Sequence, residues 1–138
     1  MKLNDISGAI VDAAYHLPSQ IGPGLLESVY EELLACELTK RGLRYERQKP
    51  VPIQYEGKVL EVGFRADLIV EDAVIVELKS IEILAPVHKK QLLTYLKLSG
   101  KRLGLLINFG APLIKNGVVR IANGVVDEPS TLCDSARE

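Results

Sequence analysis

The sequence has few aromatic residues and almost no net charge. It contains no Trp and only two Phe among 138 residues, so it lacks the side chains on which a dedicated single-strand nucleic-acid binder stacks bases. Its formal net charge is −1, so overall charge does not attract a polyanion, and any such binding requires a local basic patch. With 47% hydrophobic and 25% charged residues, the composition is typical of an ordinary globular domain and excludes a disordered or fibrous chain.

Cysteine, histidine and long apolar runs are also scarce. Cys36 and Cys133 form no CxxC pair, which is typical of a protein from a reducing compartment. His16 and His88 lie in segments unrelated to either cysteine, so the spacing of a zinc site is absent. Because no apolar stretch resembles a signal peptide or is long enough to span a bilayer, we expect a cytoplasmic protein that does not contact a membrane.

Hydrophobic periodicity predicts a single α/β domain. Apolar residues recur at helical spacing in three stretches, at about 5–17, 25–40 and 86–99, and residues that start or stop helices bound each of them. Runs rich in Val, Ile and Leu predict strands at 43–55, 58–62, 64–70, 74–79, 103–109 and 118–121. Pro50 and Pro52 favour a sheet edge for the first strand. We expect one domain over residues 1–124 and a flexible tail over residues 125–138.

The hairpin formed by residues 64–70 and 74–79 carries most of the functional information. A two-residue turn at 71–72 would put Asp67 and Glu77 on different faces, whereas a three-residue turn at 71–73 puts Asp67 opposite Glu77. The second register collects only apolar side chains on one face: Ala66, Leu68, Val70, Val74, Val76 and Leu78. The other face then holds Asp67, Ile69, Ile75, Glu77 and Lys79. We therefore expect the three-residue register.

Asp67, Glu77 and Lys79 are the first candidate site residues. Two facing carboxylates at the end of a rigid hairpin can hold Mg²⁺, which takes one or two carboxylates plus water and substrate phosphate at about 2.0–2.1 Å. Lys79 follows Glu77 on the same strand face, where it could orient an attacking water and offset developing negative charge. An acid two residues before a lysine also occurs by chance in a chain this rich in charge, so the context of a buried-looking strand supplies the signal.

Two predicted helices add further candidates. Glu27 begins the second helix and could supply a third carboxylate, although an exposed helical glutamate is the simpler interpretation. Gln91 and Tyr95 lie one turn apart on the third helix and could position a phosphate or a metal-bound water, or they could form a half-buried polar stripe. His88 lies one turn before Gln91 and is a candidate for the rim of the site.

Basic residues cluster in two segments and could contact phosphates. The first segment spans residues 40–49 and contains Lys40, Arg41, Arg44, Arg47 and Lys49. The second segment, Lys89 and Lys90, directly precedes Gln91. We expect Arg44, Arg47, Lys89 and Lys90 as nucleic-acid contacts, although solvated lysines and arginines are also common at helix ends and on edge strands.

Taken together, these residues resemble a known family. The segment 24–30, GLLESVY, resembles the motif of the GxxExxY proteins, a group within the PD-(D/E)xK nuclease superfamily. Asp67 and the segment 77–79, ELK, resemble the metal and lysine motif of that superfamily, with Ala66 where its name has Pro. The segment 91–95 resembles the QxxxY helix motif of its RecB-like and lambda-exonuclease-like branches. The resemblance covers residues 5–124 in the same order.

The resemblance implies both a fold and an activity. The fold is a restriction-endonuclease-like αβββαβ core of the α/β (α+β) class, with a mixed sheet flanked by helices. The activity is metal-dependent hydrolysis of phosphodiester bonds, with DNA as the nucleic-acid partner and Mg²⁺ or Mn²⁺ as cofactor. The implied metal ligands are Glu27, Asp67 and Glu77, Lys79 is the catalytic lysine, and Gln91 and Tyr95 support them.

Two questions stay open at the level of sequence. A chain of this length has little surface for reading a base sequence, so we expect it to act as a homodimer, within a larger complex, or on ends and structures. The alternative to an enzyme is a non-catalytic interaction module, an accessory subunit that keeps the fold and the pocket. The presence of all the motif acids and of the lysine favours the enzyme.

Overall fold

Three α-helices, one short 3₁₀ helix and five strands make up the part of the chain that the structure describes, residues 1–21 and 24–124 of a computed structural model. In chain order these are α1 (Leu3–Gln20), α2 (Glu27–Lys40), β1 (Tyr45–Tyr55), β2 (Lys58–Val70), β3 (Val74–Lys79), α3 (Pro86–Ser99), β4 (Leu103–Asn108), a short 3₁₀ helix (Ile114–Gly117) and β5 (Val118–Ala122). The tail expected at 125–138 lies outside the described residues.

The strands form one mixed sheet in the order β1-β2-β3-β4-β5. Pairs β1/β2, β2/β3 and β4/β5 are antiparallel, whereas β3 and β4 are parallel because the intervening α3 carries the chain back to the starting end of the sheet. The expected αβββαβ core with its mixed sheet is therefore confirmed. The two prolines of β1 are tolerated because this strand lies at the edge.

The register of the central hairpin is the one expected from the apolar pattern. Val70 pairs with Val74, Ile69 with Ile75 and Leu68 with Val76, which leaves three residues in the turn. Glu71 and Asp72 both adopt a left-handed backbone with φ of 53°. Contacts from outside the hairpin hold this turn, since the Arg44 amide donates to Glu71 Oε2 at 2.6 Å and Lys101 Nζ donates to the Asp72 carbonyl at 2.7 Å.

The helices cover the two faces of the sheet with separate apolar clusters. Helices α1 and α2 pack through residues such as Ile10 and Leu34 on a cluster that includes Leu68, Val70, Val74, Val76 and Leu78. Helix α3 packs through Leu92 and Leu96 on a second cluster that includes Phe64, Ala66, Ile69 and Ile75. The sheet is thus buried on both sides, which explains the nearly continuous apolar sequence of β3 and β4.

Three local expectations were wrong. Ala66 belongs to the α3 cluster with Phe64 rather than to the cluster of Leu68, because the side-chain alternation of β2 changes at Asp67. Residues 58–70 form one strand, since Gly63 lets β2 pass close to the side chain of Ile53 and does not break it. Helix α1 continues past Pro18 to Gln20, since a proline near the helix end removes little of the backbone hydrogen bonding.

None of the helices within residues 1–21 and 24–124 has the length and apolar character needed to cross a membrane.

Candidate active site

The Asp67 and Glu77 carboxylates lie beside each other on β2 and β3. The backbone N–H of Asp67 donates to Glu77 Oε2 at 3.1 Å. The backbone N–H of Leu78 donates to Asp67 Oδ2 at 2.8 Å. Each carboxylate thus accepts a hydrogen bond from the backbone of the opposite strand. The structure therefore brings together the two acids that the hairpin register had paired.

Burial makes this pair electrostatically unfavourable. Desolvation, followed by the charge of Asp67, raises the pKa of Glu77 to about 8. Desolvation also raises the pKa of Asp67, although the hydrogen bonds from Leu78 and Gln48 oppose the shift. Two half-buried carboxylates beside each other disfavour double ionisation. A bound cation would remove the penalty.

Lys79 and α3 complete the side of the site around Glu77. Lys79 lies on the same strand face as Glu77, and its positive charge opposes the rise in the pKa of that carboxyl. Burial and the charge of Glu77 raise the pKa of Tyr95, whose hydroxyl is hydrogen-bonded to the Gln91 side chain. The Tyr95 ring stacks on Phe64, with ring centroids 3.9 Å apart and planes 6° from parallel. The sheet thus positions Tyr95 through its ring.

Glu27 is the first residue of α2. This residue lines a surface cleft of about 560 Å³ together with residues 24–26, Ser28 and Ser80. The segment before it is held by two hydrogen bonds: the Leu25 N–H donates to the Tyr30 hydroxyl at 3.4 Å, and the Ser80 hydroxyl donates to the Leu25 carbonyl at 2.9 Å. Tyr30 is buried and stacks on Phe109 at 4.4 Å. The Tyr of the GLLESVY segment therefore anchors the segment that leads into Glu27.

Glu27 is near the acidic pair without forming a closed ligand set with it. Its negative charge raises the pKa of both Asp67 and Glu77. Across residues 1–21 and 24–124, however, no three Asp, Glu, His or Cys side chains form a group that could hold a metal ion. The structure thus assembles two of the three expected ligands, Asp67 and Glu77, and leaves Glu27 close by.

Gln48 and Glu31 contact this site and were missed at the level of sequence. The Gln48 side-chain amide donates to Asp67 Oδ1 at 3.1 Å and to Glu31 Oε1 at 2.6 Å. Glu31 is buried, with 6% of its surface exposed. One signal was present for Glu31, because it lies four residues after Glu27 and therefore on the same helical face. For Gln48, on an edge strand, the sequence held no signal.

Every basic residue of the segment at 40–49 pairs with an acid, and for two of them, Arg44 and Arg47, the acids are distant in sequence. Arg44 pairs with Glu71 at 3.2 Å. Arg47 pairs with Glu31 at 2.9 Å and with Glu32 at 3.0 Å. These partners account for the positions of both arginines without a nucleic acid.

The basic residues of α3 differ from those of the first segment. Lys89 and Lys90 are exposed, and neither has a salt-bridge partner among the ion pairs found in the described part of the chain. His88 accepts a hydrogen bond from the Ala85 N–H at Nδ1 and so caps the start of α3. His16 lies 3.9 Å from Glu37.

Comparison with known proteins identifies a family. The family model described as the PD-(D/E)XK nuclease superfamily matches residues 4–121. No curated protein matches the chain. A solved structure described as "Crystal structure of SSO0001" is similar at 23% identity and a TM-score of 0.49, and the match covers 72% of this chain and 52% of that one. The chain thus spans about half the length of that protein.

Proposed function

Because the chain belongs to the PD-(D/E)XK nuclease superfamily, we propose that it is a metal-dependent nuclease that hydrolyses phosphodiester bonds of DNA. The observation that carries the proposal is the adjacency of Asp67 and Glu77, joined across β2 and β3 by hydrogen bonds of 3.1 and 2.8 Å, with Lys79 on the same strand face as Glu77. Hard carboxylate oxygens and an ammonium group in one place suit the chemistry of a phosphate ester.

The donor set fits Mg²⁺ or Mn²⁺. Mg²⁺ is held by one or two carboxylates and keeps several water molecules, so Asp67 and Glu77 suffice as protein ligands. Glu27 adds a third negative charge nearby. The pair is poorly solvated and self-repelling, and a divalent cation supplies the missing positive charge. When bound, the ion supplies Lewis acidity to the phosphate and lowers the pKa of a water ligand.

The remaining residues position the reacting groups and balance negative charge. Lys79 Nζ orients the attacking water and offsets the negative charge that develops as the new P–O bond forms and the ester P–O bond breaks. Tyr95, hydrogen-bonded to Gln91, positions a phosphate or a metal-bound water on the α3 side of Glu77. Lys89 and Lys90 are exposed and contact backbone phosphates, which gives affinity without sequence specificity.

Finer assignments follow from the same residues. We propose that the chain belongs to the GxxExxY group, because Gly24, Glu27 and Tyr30 have the spacing of its motif and Tyr30 anchors the segment that leads into Glu27. We propose that it acts as a homodimer or within a larger complex, since so small a domain offers little surface for a DNA duplex. A cytoplasmic location fits Cys36, which is a free cysteine.

A cleavage assay on a panel of DNA and RNA substrates with Mg²⁺ tests the proposal. We expect cleavage of DNA by the wild type, loss of cleavage with Lys79→Ala, and wild-type cleavage with Lys58→Ala, a matched change of an exposed lysine on β2. Equal activity of wild type and Lys79→Ala would identify a contaminating nuclease and refute the proposal. Metal binding without cleavage of any substrate would instead establish the non-catalytic module.

A further inference from the structure

Gln48 interrupts the pairing of β1 with β2 beside Asp67. The ladder between β1 and β2 pairs Arg47 with Leu68 and Lys49 with Ala66. None of its pairs joins Gln48 to Asp67, the two residues that lie between them. Gln48 adopts a left-handed backbone with φ of 50°, which is uncommon for a residue other than Gly, Asn or Asp. Its carbonyl accepts a hydrogen bond from Arg65 Nη1 at 3.1 Å. Unfavourable backbone conformations of this kind concentrate at functional sites.

The unusual backbone directs the Gln48 side chain to the acidic pair. Its Nε2 donates to Asp67 Oδ1 at 3.1 Å, while the other oxygen of that carboxylate, Oδ2, accepts from the Leu78 N–H at 2.8 Å. Both oxygens of Asp67 are therefore oriented by donors. Each keeps a lone pair for a further partner, so these contacts orient the carboxylate without blocking it.

The Gln48 amide is itself held in one orientation. Nε2 also donates to Glu31 Oε1 at 2.6 Å. Rotating the amide by 180° would turn its oxygen toward two carboxylates and lose both hydrogen bonds. Glu31 is held in turn by Arg47, whose Nε donates to Glu31 Oε2 at 2.9 Å. The chain of contacts runs from Arg47 to Glu31, then to Gln48 and Asp67, and it joins α2, β1 and β2.

We propose that Gln48 is a positioning residue of the nuclease site, which orients the Asp67 carboxylate through an amide that Glu31 and Arg47 hold in place. The inference rests on the proposed function, because it assigns Gln48 a role through the metal ligand Asp67. Hydrogen-bonded partners of ligands matter in this way because they fix the ligand's orientation, and their loss typically weakens metal affinity or activity by about 10–100-fold.

Replacing Gln48 with glycine separates this role from a structural one. Gln48→Gly removes the amide but suits the left-handed backbone, so relief of the unfavourable backbone conformation offsets the lost hydrogen bonds. We expect its melting temperature to stay within about 5 °C of the wild type, while its affinity for Mg²⁺ by calorimetry falls about 10–100-fold. We expect kcat on DNA to fall while KM changes little, because the phosphate contacts are untouched.

Two variants serve as controls. Glu56→Gly makes the same kind of change at another left-handed residue, with φ of 47°, in the turn between β1 and β2. Gln54→Met removes an exposed amide from the same strand. Both should keep wild-type Mg²⁺ affinity. Gln48→Met, which keeps the size of the side chain without its donor, should lose affinity as Gln48→Gly does.

The outcomes distinguish this inference from the proposed function. Wild-type Mg²⁺ affinity and kcat in Gln48→Gly and Gln48→Met would overturn the role of Gln48 and leave the nuclease intact. A structural role would lower the melting temperature of both variants by more than about 10 °C, and any loss of Mg²⁺ affinity would then match the unfolded fraction. That result would also overturn the positioning role of Gln48. Failure of the wild type to bind Mg²⁺ would refute the proposed function, and this inference with it.

Discussion

Asp67 and Glu77 are joined across the sheet by a backbone contact, since the N–H of Asp67 donates to Glu77 Oε2 at 3.1 Å. Together with the bond from the Leu78 N–H to Asp67 Oδ2 at 2.8 Å, this links each acid to the opposite strand. The two carboxylates cannot separate without breaking strand contacts. The fold therefore keeps the two carboxylates close together, and their repulsion when both are ionised should be measurable.

The stability of the metal-free protein should fall as the pH rises from about 5 to about 8. Burial and Asp67 raise the pKa of Glu77 from 4.5 to about 8, so between these values the folded state binds more protons than the unfolded state. Stability then decreases with pH, by at most about 1.4 kcal/mol per pH unit for one proton. Chemical denaturation in EDTA at several pH values measures this slope.

Glu77→Gln is the control for that slope. The glutamine side chain keeps an oxygen that can accept from Asp67 N–H but does not titrate. We expect a flatter pH dependence and, at pH 8, a more stable metal-free protein than the wild type. Identical slopes for the two proteins would show that Glu77 does not carry the shifted pKa.

Mg²⁺ should stabilise the wild type and release protons as it binds. At pH 7 Glu77 is largely protonated in the metal-free protein, and a metal ligand must be deprotonated. Titration calorimetry in two buffers of different ionisation enthalpy should detect the released proton. At a Mg²⁺ concentration of 100 times Kd the stabilisation is about 2.7 kcal/mol.

Asp67→Ala should abolish this metal effect, whereas Asp12→Ala, an exposed acid of α1, should not. If Mg²⁺ binds equally well to Asp67→Ala, the metal site lies elsewhere.

Lys79→Met should separate metal binding from cleavage. The variant keeps the length of the side chain but removes its charge, so we expect Mg²⁺ to bind while cleavage falls by about 10²-fold or more, as for the loss of a group that stabilises transition-state charge. Calorimetry and single-turnover cleavage measure the two effects. A parallel loss of metal affinity would assign Lys79 to the structure of the metal site.

Two substitutions of Tyr95 should have different effects. Tyr95→Phe keeps the ring stacked on Phe64 and removes the hydroxyl that bonds Gln91, so we expect nearly wild-type stability with reduced cleavage. Tyr95→Ala also removes the stacked ring and should destabilise the protein by about 2–3 kcal/mol. Urea denaturation and cleavage rates test both. Full activity in Tyr95→Phe would show that Tyr95 contributes through its ring and not through its hydroxyl.

The order of the elements and the parity of the central hairpin followed from the sequence, because both depend on local periodicity. The period of two in residues 64–70 and 74–79 allowed only one register with an unbroken apolar face, and Val70 does pair with Val74. Asp67 and Glu77 could therefore be brought together from the pattern alone. Pro86 and Gly100 likewise marked the ends of α3, since both act through their own backbone.

Tertiary structure alone decided the surroundings of these acids. Gln48 reaches Asp67 and Glu31 across separations of 19 and 17 residues, and its left-handed backbone leaves no mark on the hydrophobic pattern. The side-chain alternation of β2 changes at Asp67, which places Ala66 on the α3 side of the sheet. Arg47, a phosphate contact by sequence, is paired with Glu31 and Glu32. Periodicity determines which way a regular strand faces, whereas the partners of long polar side chains depend on which elements the finished fold brings within reach.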